Sequence, residues 1–362
     1  MRQKKLMALF ASFFVALILI ALLFVPACSQ PAPTTSTTQT PTTTSTPTPT
    51  AKKSYHWRFA GCLSLDDPQT KAMKAIADKV LKESNGRIVI DVFPASQLGD
   101  YTVTYEEIMR GTIELNLGPI PTTYDPRLNV LFIPYVVPDY ATAKKAMSPG
   151  GYLYNIVDGV TNGQGAKLLG IYGTGFGGMA TNKVPPSPAD PNVSKGMKIR
   201  VAPFETFKLF AERMGYMSVT IPYADLFSAL QTKVADGWIG GTSFHTWAAF
   251  TDILHCWIQY NDHFETSGFV CNLNLWNSLS SEDQKIVSDA VSEQANISFK
   301  TSEEDENLYM NKLADKGFTV IRLSDAELAK CVAAIQKDVW PKLETLVGKQ
   351  IMDQIRDALG LK

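Results

Sequence analysis

A helical pattern that runs from Ser280 to about Lys316 constrains the fold of this chain more than any other feature. It begins with the sequence SSED, which is similar to the capping box that starts many helices. An α-helix rises about 1.5 Å per residue, so a helix of this length is too long to lie within one small lobe. We therefore expect this helix to run across two lobes.

The rest of the folded part alternates between strand and helix patterns. The segments YHWRFAG, RIVIDVF and IELNLG are typical of strands, and helical patterns separate them. This order indicates βαβ units and a sheet with parallel character, and the middle of the chain repeats it. We predict an α/β protein with lobe I formed by residues 54–177 and 265–304. Residues 178–264 and 305–362 form lobe II and the C-terminal helices, with a ligand cleft between the lobes.

The first 53 residues differ in composition from the rest of the chain. A basic start and an apolar run up to Val25 are typical of an export signal. The sequence VPAC resembles the bacterial lipobox, so we predict a signal peptide over residues 1–27 and lipidation of Cys28. An uncleaved membrane anchor is the alternative, because the apolar run is about long enough to span a bilayer. Residues 28–53 are rich in Thr, Pro and Ser, and this composition predicts a disordered spacer.

The net charge and the lack of recognisable catalytic motifs argue against several classes of protein. The formal net charge is −1, so no nucleic-acid partner is expected, and an anionic ligand must be held by local geometry. The chain has four histidines, and none lies in a metal-binding spacing. Ser243 lies near His245 in GGTSFH, but this is not the G-x-S-x-G elbow of a hydrolase. We expect no enzymatic activity, no metal and no cofactor.

Two residues in candidate strands have more than one interpretation. Arg200 in KIRV lies on the face opposite Ile199 and Val201, where it either pairs with a neighbouring acid or offers its planar guanidinium to a ligand carboxylate. Trp238 in DGWIGG has two interpretations. It is either a core side chain or part of the wall of a binding site, since the glycines on both sides of it allow another group to approach closely.

The cysteines also leave two interpretations open. Cys256 and Cys271 lie in neighbouring candidate strands, so they either pair or remain isolated buried thiols.

Five motifs in order along residues 54–362 resemble the solute-binding proteins of tripartite ATP-independent periplasmic (TRAP) transporters, the DctP family. These motifs are GRIVIDVFPASQLGD, IPYVVPDYATAKKAM, TNKVPPSPAD before KGMKIRV, ADLFSALQTKVADGW, and NDHFETSGFVCNLNLWNSLSSEDQKIV. Each motif alone is weak, and their common order carries the resemblance.

The resemblance implies a two-lobed periplasmic binding protein fold, similar to type II, with a long helix spanning both lobes. It also implies an extracytoplasmic receptor, here lipid-anchored, that captures a small organic acid and delivers it to TRAP membrane permease subunits. One alternative is a receptor that presents its ligand to a sensor kinase. The other is a secreted hydrolase on a two-lobed fold.

The resemblance assigns roles to two residues. Arg200 matches the family arginine that binds the ligand carboxylate, and Asn272 matches a recurrent asparagine near the cleft.

Two departures from the family pattern bear on specificity. The stretch DGWIGG lacks the polar pair of many dicarboxylate and sialic-acid binders, and its last four residues resemble the E-W-V-G-P motif of keto-acid binders. Gly237 replaces an acidic residue that takes part in cation binding in that group, so no metal is expected. Gly177 stands where family members often have Arg or Gln. We therefore expect a less polar pocket walled by Phe176, Gly177 and Trp238, which favours a monocarboxylate or keto acid, with a dicarboxylate as the alternative.

Overall fold

The computed structural model describes residues 52–361. The predicted signal peptide, Cys28 and the spacer up to residue 51 lie outside the described residues. The strands are, in chain order, β1 (Tyr55–Gly61), β2 (Ile88–Phe93), β3 (Leu115–Gly118), β4 (Ala166–Phe176), β5 (Met179–Thr181), β6 (Lys198–Val201), β7 (Met217–Thr220), β8 (Gly237–Ile239), β9 (Cys256–Gln259), β10 (Phe264–Asn272) and β11 (Thr319–Arg322).

Helices connect most of these strands. They are α1 (Pro68–Glu83), α2 (Tyr101–Arg110), α3 (Tyr140–Met147), α4 (Tyr152–Gly163), α5 (Glu205–Arg213), α6 (Leu226–Gln231), α7 (Ser243–Ala249), α8 (Leu273–Ser278), α9 (Ser281–Asp315), α10 (Asp325–Asp338), α11 (Trp340–Val347) and α12 (Lys349–Ala358). Two 3-10 helices, Pro126–Phe132 and Tyr223–Asp225, lie between them.

The strands pair into two sheets. The first sheet has the order β2-β1-β3-β10-β4, in which β1 is parallel to β2 and β3 while β10 is antiparallel to β3 and β4. The second sheet has the order β11-β9-β5-β8-β6-β7, in which β6 is parallel to β7 and β8. The predicted α/β architecture is therefore confirmed, with parallel strand pairs in each sheet.

The chain passes between the two sheets at short connections. Gly177 and Gly178 join β4 of the first sheet to β5 of the second, and residues 260–263 join β9 to β10. These connections bring residues from both sheets to the same edge of the fold.

The long helix α9 packs against both sheets. Near its middle, the Ser298 hydroxyl accepts a hydrogen bond of 2.9 Å from the backbone N–H of Gly173 in the first sheet. Further along, the buried Glu306 carboxylate accepts a bond of 2.7 Å from the Gln259 amide of the second sheet. The helix also begins as predicted, because the Ser280 side chain caps it by accepting from Asp283 N–H. The predicted helix that spans both lobes is confirmed.

The cysteines described by the structure are all free, namely Cys62, Cys256, Cys271 and Cys331. Cys256 lies in the second sheet and Cys271 in the first, which separates the pair considered from the sequence. Cys256 and Cys271 are therefore isolated buried thiols and do not form a disulfide bond. No helix within residues 52–361 is both long enough and apolar enough to cross a bilayer.

Candidate ligand-binding site

A cavity lies between the two sheets, and the centres of water-sized molecules can occupy about 40 Å³ of it. We call it the central cavity. Ligand sites in proteins occur preferentially between domains and combine apolar walls with a few polar groups, and this cavity has that position and lining. Its lining comes from both sheets, with Gln69, Tyr101 and Glu265 on the side of the first sheet and Arg200, Phe207 and Trp238 on the side of the second.

Strand direction explains why these residues meet. Ligands of open α/β sheets bind beyond the carboxyl ends of the parallel strands. Cys62 follows β1, Pro119 follows β3, and Ala202 follows β6, and all three line the central cavity. Because β10 runs antiparallel to β3, it is the beginning of β10 that reaches this edge, and Glu265 lies there.

Arg200 is the most deeply buried charged group of the central cavity, with 1% of its surface exposed. It lies in β6 between Val219 of β7 and Trp238 of β8, so strands flank it on both sides. Its Nε donates to the carbonyl oxygen of Ile221 at 2.8 Å, and Nη1 donates to that of Ile239 at 3.4 Å.

Arg200 has no carboxylate partner. Within the described part of the chain it forms no ion pair, and burial lowers the pKa of its guanidinium to about 10. Of the two interpretations left open by the sequence, a surface ion pair is therefore wrong. The geometry leaves a buried guanidinium beside an open space, and such a group binds carboxylates through charge-assisted hydrogen bonds.

Trp238 is both a core side chain and a cavity wall. Its ring packs edge-on against Phe250 at a centroid distance of 5.1 Å, in a cluster that includes Trp257. The same side chain also lines the central cavity. Its indole N–H is buried and meets no hydrogen-bond acceptor among the described residues.

Aromatic side chains that the sequence did not single out form much of the remaining wall. Phe204 and Phe207 follow β6, and their rings lie 5.6 Å apart. Tyr101, at the start of α2, approaches Phe204 across the cavity at 6.3 Å. One feature of the sequence could have indicated that Phe204 lines the cavity, namely its position shortly after the strand that carries Arg200. These rings make the space around the guanidinium largely apolar.

Glu265 brings a second charge to the central cavity, and sequence reasoning also missed it. The carboxylate is 7% exposed, and its Oε2 lies 2.8 Å from Nε2 of His263. The other ring nitrogen of His263 lies 2.6 Å from Oδ2 of Asp262. Burial opposes protonation of His263, but the charge of Asp262 and the hydrogen bonds to both carboxylates outweigh it and raise the pKa of the imidazole to about 10. His263 is therefore a cation between two carboxylates.

His245 lines the central cavity without forming a catalytic pair with Ser243. Its Nδ1 accepts a bond of 3.2 Å from the backbone N–H of Thr242, as part of the cap of α7. The Ser243 hydroxyl instead donates to the carbonyl of Glu306 at 3.2 Å. Burial lowers the pKa of His245 to about 4, so the ring is neutral.

Asn272 does not line the central cavity, contrary to our expectation. It lies at the end of β10, whereas the beginning of that strand reaches the cavity, and a strand of this length separates the two ends by about 26 Å. Its amide donates to the carbonyl of Ile108 at 2.8 Å and accepts from Leu275 N–H at 2.8 Å. These bonds give Asn272 a role in capping α8.

Phe176 and Gly177 are likewise absent from the cavity lining. The Phe176 ring packs edge-on between Tyr140 and Phe264, at centroid distances of 5.1 and 5.2 Å. A Cβ atom on Gly177 would lie 2.0 Å from Cε1 of His263, so the imidazole fills the space beside this glycine. Of the predicted cavity residues, the structure brings together Arg200 and Trp238 only.

Comparison with known proteins identifies the family. The sequence profile of the bacterial extracellular solute-binding proteins, family 7 (DctP), matches residues 59–344. The chain belongs to this family of substrate-binding receptors, as its motifs predicted.

Individual relatives cover most of the chain. A solute-binding protein of Verminephrobacter eiseniae is 29% identical over 297 residues, which are 80% of this chain and 85% of the relative. The 2,3-diketo-L-gulonate-binding periplasmic protein of Escherichia coli is 24% identical over 271 residues, or 73% of this chain and 80% of the relative.

Solved structures confirm the predicted two-lobed fold. The sugar-acid-binding protein of Advenella mimigardefordensis in complex with galactonate superimposes with a TM-score of 0.77 at 20% identity. The superposition covers 84% of this chain and 98% of the other.

Proposed function

We propose that this protein captures a small organic acid in the central cavity, with Arg200 binding the ligand carboxylate, and delivers it to a TRAP membrane permease. The observation that carries this proposal is the burial of Arg200 without a carboxylate partner among the described residues. A buried cation that is not paired is costly, and a ligand carboxylate would supply the missing partner.

The guanidinium alone does not account for useful affinity. A charge-assisted hydrogen bond contributes about 1.5–3 kcal/mol, whereas micromolar binding requires about 8 kcal/mol. The aromatic walls formed by Phe204, Phe207 and Trp238 would bury the apolar part of the ligand, and closure of the two lobes would exclude water.

The charges of the central cavity favour a monocarboxylate over a dicarboxylate. Arg200 is the only arginine or lysine among the residues that line the cavity. A second carboxylate on a small ligand would approach the side of Glu265, where like charges repel. The acids bound by relatives support the general class, because the Escherichia coli relative is named for a keto acid and the Advenella structure holds a sugar acid.

The family and the predicted signal peptide support a location outside the cytoplasm and delivery of the ligand to a membrane permease. We infer an extracytoplasmic receptor held to the membrane by a lipid at Cys28, with the Thr- and Pro-rich spacer separating the folded part from the bilayer. TRAP permease subunits would be its membrane partners.

A thermal-shift screen of small organic acids tests this function. A ligand present at a hundred times its dissociation constant adds about 2.7 kcal/mol of stability. We expect a monocarboxylate to raise the melting temperature of the wild type, and Arg200→Ala to lose this shift. Lys198→Ala is the matched control, because Lys198 lies on the same strand but is exposed. Equal shifts in all three proteins would remove Arg200 from the binding site, and no shift with any acid would contradict the function.

A further inference from the structure

We propose that Glu265 selects organic acids that also carry an ammonium group, so that the preferred ligand is a zwitterion such as an amino acid. This inference rests on the proposed function, in which Arg200 holds the carboxylate. It concerns the opposite side of the central cavity, formed by the first sheet.

The position of Glu265 makes it available to a ligand. Glu265 and Ser267 both line the cavity, as expected for residues two apart on a strand. Oε2 of Glu265 bonds to His263, but no described residue donates a hydrogen bond to Oε1. One acceptor oxygen of a buried carboxylate is thus left for the ligand.

The net charge of the site favours a cationic group at this place. The carboxylates of Asp262 and Glu265 both pair with one imidazolium, that of His263. The three side chains together therefore carry a net charge of about −1. Arg200 lies across the cavity and opposes this charge, and the carboxylate of Asp100 lies near enough to Arg200 to favour its charged form as well. A ligand with a carboxylate alone would leave the buried site with an excess negative charge, which is costly in a poorly hydrated space. A zwitterion would keep the total unchanged and satisfy both Arg200 and Glu265.

The same argument ranks related ligands. An ammonium group donates to Oε1 and brings a positive charge, a hydroxyl donates without charge, and a ketone offers only acceptors to a carboxylate. On this proposal, an amino acid ranks above the monocarboxylate or keto acid expected from the sequence. Apolar walls such as Phe204 and Phe207 favour a hydrocarbon side chain on the ligand.

Calorimetry with matched acids tests the proposal. The probes are the amino, hydroxy and keto acids that share the carbon skeletons of alanine, leucine and phenylalanine. For the skeleton that fits best, we expect the amino acid to bind at least about ten-fold more tightly than its keto analogue, with the hydroxy acid between them, because only the ammonium group both donates a hydrogen bond to Oε1 and brings a positive charge. Keto or hydroxy acids binding as tightly as the amino acids would overturn the proposal, whatever the behaviour of variants.

The variant Glu265→Gln assigns the preference to this residue. It removes the charge while keeping the shape and an oxygen that accepts from His263. We expect the preference for the amino acid over the hydroxy acid to fall by about ten-fold, and an unchanged ratio would overturn the role of Glu265. Binding of other organic acids but no amino acid would also overturn the inference while leaving the proposed function intact. Failure of every acid to bind would instead contradict the proposed function.

Discussion

Arg200 and His263 are both buried cations near the central cavity, but only His263 has carboxylate partners within the described chain. His263 lies between Asp262 and Glu265 and is electrostatically satisfied in the folded protein. Arg200 donates only to two backbone carbonyl groups. This difference supports our proposal that His263 stabilises the fold whereas Arg200 binds a ligand.

The ligand-free stability of an Arg200 variant tests this distinction. A buried charge without an ion-pair partner is costly to the fold, and even buried ion pairs can often be replaced by apolar side chains of similar volume without loss of stability. We therefore expect Arg200→Met to have a free energy of unfolding, measured by denaturation without ligand, no lower than that of the wild type. A loss of several kcal/mol would indicate that Arg200 serves the fold rather than the ligand.

The protonation of His263 predicts how stability depends on pH. Its pKa is about 10 in the folded protein and near 6.5 in an unfolded chain, so the folded state holds an extra proton between these values. The resulting stabilisation is fully present below pH 6.5 and is lost as the pH rises towards 10. We expect the wild type to lose stability relative to His263→Gln by up to about 1.4 kcal/mol per pH unit in this range. Parallel pH profiles of the two proteins would show that His263 is neutral when folded.

For single residues, the sequence placed Arg200 near the end of a strand but left its partner open, and only the family resemblance pointed to a ligand. The surroundings of Arg200 could not be predicted from the strand motif. Glu265 and Tyr101 reach the cavity through the antiparallel direction of β10 and the start of α2, which depend on the arrangement of whole elements. Trp238 could not be assigned to core or wall because it contributes to both.

Among the secondary-structure elements, the connection between β4 and β5 requires glycine at both of its residues, Gly177 and Gly178. Gly177 donates its N–H to the carbonyl of His263 at 2.8 Å, and the imidazole of His263 fills the space where a side chain would lie. Gly178 has similar restrictions, because a Cβ atom there would lie 2.5 Å from the carbonyl oxygen of Ile258. These close approaches bring β10 and β9 against the connection.

A pair of alanine substitutions tests the packing of this connection. We expect Gly177→Ala to lower the free energy of unfolding by about 1–3 kcal/mol, because its Cβ would overlap His263 and force the ring to move. Gly159→Ala is the control, since this exposed glycine within α4 has no atom within 4 Å of an added Cβ. Alanine there should stabilise the helix by about 0.5–1 kcal/mol. Equal effects in denaturant unfolding would contradict the contact with His263.

The glycine-rich strand β4 shows how a distant contact decides where a strand ends. Although Gly173 and Gly175 lie within it, β4 continues to Phe176, and only Gly177 and Gly178 separate it from β5. Gly173 allows the Phe299 ring of α9 to pack closely on the strand, with an added Cβ only 2.7 Å from that ring. The sequence could not show this, because Phe299 is distant along the chain. The length and cap of α9, by contrast, are local properties and were predicted.

In the whole molecule, the central cavity lies between two sheets that are joined by short connections and by α9. Ligand contacts from both sheets would therefore favour a closed arrangement over an open one. We expect the radius of gyration from X-ray scattering to decrease when a tightly binding acid is added. Arg200→Ala, treated with the same acid, should retain the value of the ligand-free protein. An unchanged radius for the wild type at saturating ligand would indicate a receptor that does not close.

The central claim is that Arg200 binds the carboxylate of a small organic acid between the two sheets. A crystal structure with the acid that gives the largest thermal shift tests it most directly. The account predicts a carboxylate with oxygens at about 2.7–2.9 Å from the Arg200 guanidinium, as in charge-assisted pairs, and the rest of the ligand against Phe207 and Trp238. A ligand bound outside the central cavity, or inside it with its carboxylate away from Arg200, would contradict the account.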